Sequence, residues 1–507
     1  MAGKYSLGID FGGSSSKATL LEDTGRVAAT ASKEYSSFYC HPGWYEQDAE
    51  ELYSVLLEIT REIVEKSGVS PKDIAALAVD AATHMAVFCD KDDRPLRKVI
   101  HWSDTRSTKQ AEYLKREYGE LIGRCSVNSV SSAWTLPQIL WLQENEPEIL
   151  KASSRICFLK DYLRSRITGD RCTDDIEAMG ALLADDETSQ WSEELCRVAG
   201  IEPSMLPDIR SPFDRAGVVS GAFAARTGLV AGTPVIVGST DTVMEVFSSG
   251  AVEKGSATCK LATAGRICPI TDGPIKSRQF FNYRHVVPGL WYPGTGTRSC
   301  AASYKWFRDV FGDAELREAA ASGQSAYELL NRAAEAVPPG SEHLFFHPFL
   351  QGEMTPYFDD SLCASFVGIR SGHTKGHFAR AVMEGVAFSM RDCLEEIRAR
   401  EINVTQYRLI GGGAKGRLWR QILCDVLATP LVCTAENDSS KGSAMLAGIA
   451  VGLFDGIGDC VGKSVVVTDS VRPNEENAAV YERSYRLYRE IVGALGGVYH
   501  HFENDQE

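Results

Sequence analysis

A glycine- and serine-rich turn near the start of the chain carries residue types that suit phosphate binding. Residues 7–21 contain two apolar runs on either side of Gly12, Gly13 and three serines, which predicts a β-hairpin. Glycine lets the backbone approach a ligand closely, and consecutive backbone N–H groups in such a turn suit phosphate oxygens. Asp10 adds a carboxylate that can hold Mg²⁺ through water, and Lys17 adds a cation for phosphate. The turn is therefore either a phosphate site or an ordinary tight hairpin with a surface lysine.

A second candidate for chemistry is Asp241, which follows an apolar strand predicted at residues 233–237. One role for this carboxylate is to cap the helix that follows, and another is to accept a proton as a general base. The two roles are compatible, and the residues alone leave both open.

Polar groups also follow the buried strand predicted at residues 74–80. His84 lies just beyond its end with Met85 beside it, and ligands of open α/β sheets bind beyond the carboxyl ends of strands. These positions are candidates for a ligand site.

The short loop at residues 102–106 combines Trp102, Asp104 and Arg106. Sugars are commonly held by such a set, with the ring face against indole and hydroxyls shared between carboxylate and guanidinium. The alternative for this loop is a helix N-cap beside a core tryptophan.

The second half of the sequence repeats the strand, small-residue turn and strand of the first. This second hairpin is predicted at residues 257–268, and a strand at 407–410 is followed by the glycine-rich segment 411–416 and a helix. Further helices are predicted at 378–397, 444–451 and 474–495, the last closing the chain. The sequence therefore predicts two duplicated α/β domains that face each other across a cleft.

The totals describe an ordinary globular protein. A chain of 507 residues is too long to fold around a single hydrophobic core, so we expect two domains. Its 44% hydrophobic and 24% charged residues are ordinary values for a globular protein. A net charge of −15 argues against nucleic acid or an anionic membrane as a partner. The first predicted strand begins too early to leave room for a signal peptide, and no long uncharged apolar run occurs, so we expect a cytoplasmic protein. The 14 cysteines are scattered along the sequence, so we expect them to be reduced thiols.

Taken together, these motifs resemble the FGGY carbohydrate kinases, which share the duplicated ribonuclease-H-like ATPase core of actin, hexokinase and Hsp70. The resemblance runs from Leu7 to about Leu495, and its most specific segments are 43–48, 102–106, 352–357 with 366–369, and 411–425. It implies an N-terminal domain at residues 1–249 and a C-terminal domain at 250–507, with ATP and Mg²⁺ bound in the cleft between them.

The resemblance also implies a role for each matching position. The residues implied to contact ATP are Asp10, Gly12, Gly13, Ser14, Ser15 and Lys17 in the first phosphate loop, Thr263 and Gly265 in the second, and Gly412, Gly413, Ala414 and Arg417 in the adenosine segment. Asp10 is implied to hold Mg²⁺ through water, with Asp241 as a second candidate ligand and as the catalytic base. The residues implied to line the sugar site are His84, Met85, Trp102, Asp104, Arg106 and Asp241.

The substrate is less well defined by the resemblance. The layout is most similar to xylulokinases, so D-xylulose is the leading expectation, with gluconate, ribulose, L-xylulose and four-carbon ketoses or polyols as alternatives. The chain departs from that pattern at residues 83–85, 242–245 and 262–265. A non-transferring actin-like ATPase and a sugar sensor are the alternatives from other classes. Homodimers are common among relatives, although the sequence does not fix the oligomeric state.

Overall fold

The computed structural model describes residues 4–435 and 437–504, which form two halves built on one six-stranded sheet each. The strands of the first half are β1 (Tyr5–Phe11), β2 (Ser15–Glu22), β3 (Val27–Glu34), β4 (Glu46–Gln47), β5 (Ile74–Ala81), β6 (Ala86–Cys89), β7 (Val99–Ile100), β8 (Arg155–Phe158), β9 (Cys172–Asp174), β10 (Ala184–Asp185), β11 (Gln190–Trp191), β12 (Asp208–Arg210), β13 (Arg215–Val218) and β14 (Pro234–Ile236). Its helices are α1 (Ala49–Lys66), α2 (Thr108–Cys125), α3 (Thr135–Asn145), α4 (Pro147–Ala152), α5 (Leu159–Thr168), α6 (Asp175–Gly180), α7 (Glu193–Val198), α8 (Gly221–Thr227) and α9 (Asp241–Ser248).

The second half contains fewer strands and longer helices. Its strands are β15 (Ser256–Leu261), β16 (Gly265–Pro269), β17 (Thr295–Thr297), β18 (Phe345–His347), β19 (Ser365–Val367), β20 (Gln406–Ile410), β21 (Leu431–Thr434) and β22 (Val467–Val471). Its helices are α10 (Ala301–Phe311), α11 (Asp313–Ser322), α12 (Ala326–Glu335), α13 (Lys375–Arg398), α14 (Arg417–Leu427), α15 (Ser439–Ala450), α16 (Ile457–Ser464) and α17 (Glu475–Asn504).

The two large sheets have the same strand order and the same strand directions. The order is β3-β2-β1-β5-β14-β13 in the first and β17-β16-β15-β20-β21-β22 in the second. In each, three antiparallel strands lead into two parallel neighbours, and an antiparallel strand forms the far edge. The predicted duplication of an α/β domain is therefore confirmed. The halves differ in that β13 precedes its neighbour in the chain, whereas β22 follows its own.

Both predicted hairpins are present at equivalent places. Strands β1 and β2 pair up to Phe11 and Ser16, and β15 and β16 pair up to Leu261 and Gly265. Each turn therefore lies at the carboxyl end of the first strand of its sheet, where ligands of open α/β sheets bind.

Helix α15 belongs to the second half in sequence but packs against the first sheet. A Cβ atom added to Gly8 would lie 1.9 Å from the carbonyl oxygen of Ser440, and one added to Gly442 would lie 2.1 Å from that of Met244. The hydroxyls of Thr19 and Ser440 are 2.7 Å apart. Small residues thus allow α15 to join the two halves beside β1.

The helix predictions hold with shifted ends. Helix α13 covers the predicted 378–397, α15 begins five residues before the predicted 444, and α17 continues past the predicted end at 495. Residues 107–230 combine helices α2 to α8 with the short strands β8 to β13. Within the described ranges, each helix is too short or too polar to cross a lipid bilayer.

Candidate active site

The first turn directs its carbonyl groups into the protein and leaves amide groups open. The Tyr35 hydroxyl donates to the carbonyl oxygen of Gly12 at 2.5 Å, and Gln47 Nε2 donates to that of Gly13 at 2.8 Å. Within residues 4–435 and 437–504, the backbone N–H groups of Gly13 and Ser14 have no hydrogen-bond acceptor. Such unpaired amide groups are the donors that a phosphate-binding turn requires.

The second turn is arranged in the same way. The carbonyl oxygens of Ala262 and Thr263 accept hydrogen bonds from Ala301 at 2.7 Å and Cys300 at 2.9 Å, at the beginning of α10. The N–H groups of Thr263 and Ala264 have no acceptor among the described residues. Residues 262–265, where the chain departs from the family pattern, therefore keep amide donors available.

The glycines between β20 and α14 have two different explanations. Added Cβ atoms on Gly411 and Gly413 would lie 2.7 Å from the carbonyl oxygen and the Cγ of Leu261, so close packing against the second hairpin requires both glycines. At Gly412 an added Cβ would meet nothing within 4 Å. The half-buried Ala414 packs against the core of the second half. Of these four positions, Gly412 is the one with open space beside the backbone.

A cavity of about 360 Å³ lies between α12 and the beginning of α14. Its lining is polar apart from one leucine, and consists of Gln324, Glu328, Asn331, Arg332, Glu335, Arg417 and Leu418. The predicted adenosine-binding Arg417 therefore lines a space within the usual size range of small-ligand pockets.

Asp241 is the first residue of α9 and is half-buried. Its Oδ1 accepts hydrogen bonds from the Thr242 backbone N–H at 2.6 Å and from the Thr83 hydroxyl at 3.1 Å. Burial raises the pKa of Asp241 above its ordinary value, and the charge of Lys260 and the Thr83 hydrogen bond act in the opposite direction. The carboxylate thus bonds to the first turn of its helix and is also a stronger base than an exposed aspartate.

Asp10 lies in a group of acidic residues rather than alone. It is the register partner of Asp80 on β5 and of Lys17 on β2. Burial is the largest influence on Asp10 and raises its pKa to about 7. The charges of Asp241 and Asp438 also raise this pKa, whereas the interaction with Asp80 and the charge of Lys17 lower it. Repulsion among buried carboxylates is relieved when a cation binds.

These carboxylates fit a cation that is held mainly through water. Oδ1 of Asp10 and Oδ1 of Asp80 are buried and have no hydrogen-bond donor among the described residues. In the described part of the chain, no three Asp, Glu, His or Cys side chains lie close enough together to enclose a metal ion. Mg²⁺ usually keeps several waters and takes one or two carboxylates, so the donors present suit it.

His84 is buried and has the positive φ of 48°. Its ring lies 4.8 Å from that of Trp134, and its Nδ1 has no hydrogen-bond partner among the described residues. Burial lowers the pKa of His84 to about 3, so the imidazole is neutral. Met85 has no exposed surface and packs in the apolar core of the first half, and its predicted contact with substrate stays a prediction.

The loop that contains Trp102 divides into an exposed and a buried part. Trp102 is 37% exposed, whereas the side chains of Asp104 and Arg106 are 1% and 0% exposed. Arg106 donates to both carboxylate oxygens of Asp104, at 2.9 and 2.8 Å, and to Glu46 at 2.7 Å. These contacts fix the loop, and the predicted contacts of Asp104 and Arg106 with sugar hydroxyls stay a prediction. Trp102 keeps an exposed face, and α2 begins only at Thr108.

Sequence reasoning missed four residues of this region: Asp80, His101, Asp438 and Lys260. Asp80 is the residue before the last one of the buried strand β5, a position that could have marked it as a site candidate. Asp438 caps α15, and Lys260 forms an ion pair with Glu245. No sequence pattern marked His101, whose buried Nε2 has no hydrogen-bond partner in the described part of the chain.

Two family models match the chain in order. The N-terminal domain of the FGGY family of carbohydrate kinases matches residues 5–248, and the C-terminal domain of that family matches residues 255–451. The xylulose kinase of Bacillus subtilis (strain 168) is 31% identical over 493 residues, which cover 96% of each chain. The gluconokinase of Bacillus licheniformis is 28% identical and covers 99% of this chain and 98% of its own.

A solved structure gives the same result for the fold. The ligand-bound xylulose kinase from Lactobacillus acidophilus matches with a TM-score of 0.89 and 26% identity, over 98% of this chain and all of that one.

Proposed function

We propose a specific reaction for this chain, which belongs to the FGGY family of carbohydrate kinases and is a phosphotransferase acting on a sugar hydroxyl. In the proposed reaction, Asp241 accepts the proton of that hydroxyl as its oxygen attacks the γ-phosphorus of ATP in line. The observation that carries this role is the position of Asp241, half-buried beside Thr83 and within electrostatic reach of Asp10. Its raised pKa makes it a better proton acceptor than an exposed carboxylate.

The two turns supply the donors for the phosphates in this proposal. The open amides of Gly13 and Ser14 and those of Thr263 and Ala264 contact phosphate oxygens, and Lys17 adds a positive charge. Fixed donors of this kind stabilise the charge that spreads over the transferred group.

Asp10 and Asp241 are the residues proposed to hold Mg²⁺, Asp10 through water. When bound, Mg²⁺ neutralises phosphate charge and orients the phosphate chain. The unpaired Oδ1 of Asp10 supports this assignment because a buried carboxylate oxygen without a donor is costly.

The sugar lies between Asp241, His84 and the exposed face of Trp102 in this proposal. Neutral His84 offers its Nδ1 to a hydroxyl, and the Trp102 indole packs against carbon atoms of the sugar. We propose that Asp104 and Arg106 hold this loop in place. The xylulose kinase relatives support D-xylulose as the first candidate. The gluconokinase relatives support gluconate as the second candidate.

A coupled assay of ADP release over ketoses, alditols and aldonates tests this function. We expect ADP release that depends on the sugar and that matches formation of a phosphorylated product. ADP release without any sugar would instead support an actin-like ATPase. Binding of both ATP and a sugar without product would support a sensor.

A further inference from the structure

The second hairpin carries two cations directly opposite each other. Lys260 on β15 and Arg266 on β16 are cross-strand partners and so project from the same face of the sheet. Like charges in such a pair repel each other. Glu245 on α9 forms an ion pair with Lys260 and offsets one of the two charges. Arg266 has no ion pair or hydrogen bond with any residue that the structure describes, and the contact of its guanidinium is the Phe281 ring at 5.7 Å.

Arg266 lies beside the aromatic side chains that lead to His84. Its guanidinium lies 5.7 Å from the ring of Phe281, two residues before Tyr283. The ring of Tyr283 lies 6.0 Å from that of Trp134, which in turn lies 4.8 Å from that of His84. The charge of Arg266 also lowers the pKa of His84, in the same direction as burial. The preceding residue Gly265 faces the other way, because a Cβ added there would lie 2.3 Å from Met390 Sδ. The Arg266 side chain therefore extends away from the core of the second half and toward the ring of Phe281.

Two further polar side chains beside these aromatic rings lack hydrogen-bond partners. The buried Nδ1 of His84 and the hydroxyl of Tyr292, which is 1% exposed, have no hydrogen-bond partner in residues 4–435 and 437–504. The rings of Tyr283 and Tyr292 stack with centroids 5.6 Å apart, and Trp134 lies 6.0 Å from Tyr283. Buried polar groups are normally paired, so a row of unpaired groups beside an unpaired cation indicates a site for a polar, anionic ligand.

We propose that Arg266 binds the carboxylate of an acidic sugar and that the acceptors of this kinase include aldonates of five or six carbons. This inference rests on the proposed kinase function and concerns the end of the substrate remote from the reacting hydroxyl. A guanidinium suits a carboxylate because its N–H groups match the two oxygens. The charge on the carboxylate also offsets the repulsion between Arg266 and Lys260. The other anion within reach of such a cation is the phosphoryl group in transfer, and the two sources are separable by experiment.

The test compares kcat/KM for D-gluconate and D-xylulose in the wild type, Arg266→Gln and Arg266→Lys. We expect the wild type to phosphorylate gluconate, and Arg266→Gln to lower kcat/KM for gluconate by about 10²-fold, mainly through KM. For D-xylulose, which has no carboxylate, we expect a change of less than about threefold, because a lost contact affects only the substrate that makes it. Arg266→Lys keeps the charge and should restore part of the gluconate activity. The matched control is Arg278→Gln, which removes an exposed arginine stacked on Phe358 and should leave both substrates unchanged.

Three other outcomes overturn the inference. Turnover of D-xylulose without any turnover of aldonates shows that the carboxylate site is absent while the kinase function stands. An equal loss on both substrates in Arg266→Gln assigns the guanidinium to the phosphoryl group instead. Absence of turnover on every sugar contradicts the proposed function itself. ADP binding and thermal unfolding of each variant establish that it is folded, and the arginine-to-lysine variant keeps the comparison informative if the glutamine variant is unstable.

Discussion

The hydroxyl of Thr83 donates a hydrogen bond to Oδ1 of Asp241 over 3.1 Å, and so links the end of β5 to the beginning of α9. This bond lowers the pKa of a carboxylate that burial otherwise raises. Thr83 is therefore a positioning residue for the proposed base, and the link makes a prediction about pH dependence.

Thr83→Val removes the hydrogen bond while keeping the shape of the side chain. We expect the pKa of Asp241 to rise, so that a smaller fraction is ionised on the acidic limb of the pH profile. The acidic limb of kcat should move to higher pH, with a several-fold loss of activity there and little loss at alkaline pH. Thr83→Ser keeps the hydroxyl donor, so its acidic limb should lie at the same pH as that of the wild type. A profile for Thr83→Val that coincides with that of the wild type would show that the bond does not tune the base.

Gly442 is needed for the contact between α15 and α9. A Cβ at this position would lie 2.1 Å from the backbone carbonyl oxygen of Met244, which cannot move without shifting α9. We expect Gly442→Ala to lower the free energy of unfolding by about 1 to 3 kcal/mol, measured by urea denaturation. Gly462→Ala in α16 is the control, because its Cβ would meet nothing within 4 Å and a helical glycine-to-alanine change typically stabilises by about 0.5–1 kcal/mol. Equal stability changes in the two variants would contradict the packing explanation.

Arg106 holds the Trp102 loop through buried carboxylates. Arg106→Lys loses the two-point contact with Asp104 and the contact with Glu46, leaving buried charges poorly paired. We expect the free energy of unfolding to fall by about 2 to 4 kcal/mol. The exposed pair of Arg26 and Glu22 gives the control, since Arg26→Lys should change stability by less than about 1 kcal/mol. A raised KM for sugar with unchanged stability would instead return Arg106 to the substrate site.

Local sequence patterns predicted the elements of the fold well. Both hairpins and the strand before Asp241 are short-range patterns, and their repetition was sufficient to predict two similar sheets. The packing of α15 against β1 was not predictable, because nothing in a small-residue helix shows which of two sheets it contacts. The apposition of Gly442 and Met244 depends on residues about 200 positions apart, and only the folded chain brings them together.

The sequence predicted the residue types of the candidate site. It did not predict which of these side chains lie next to each other or which are already paired inside the protein. Asp10 stood out because of its glycine turn, whereas Asp80 has only its place near the end of a buried strand, and the register of β1 with β5 is what puts it beside Asp10. Asp104 and Arg106 have the composition of a sugar site, yet each satisfies the other's hydrogen bonds away from solvent. Arg266 did not stand out in the sequence, because its lack of an ion-pair or hydrogen-bond partner among the described residues is visible only in the folded structure.

Asp241→Asn tests the central claim most directly. This substitution keeps the shape of the side chain and removes its ability to accept a proton. We predict that the variant binds ATP and sugar with affinities close to those of the wild type, and that its kcat falls by at least about 10²-fold, at the low end of general-base effects. Binding by calorimetry and sugar-dependent ADP release, measured on the same preparation, give both quantities. A kcat close to that of the wild type would remove Asp241 from the role of base.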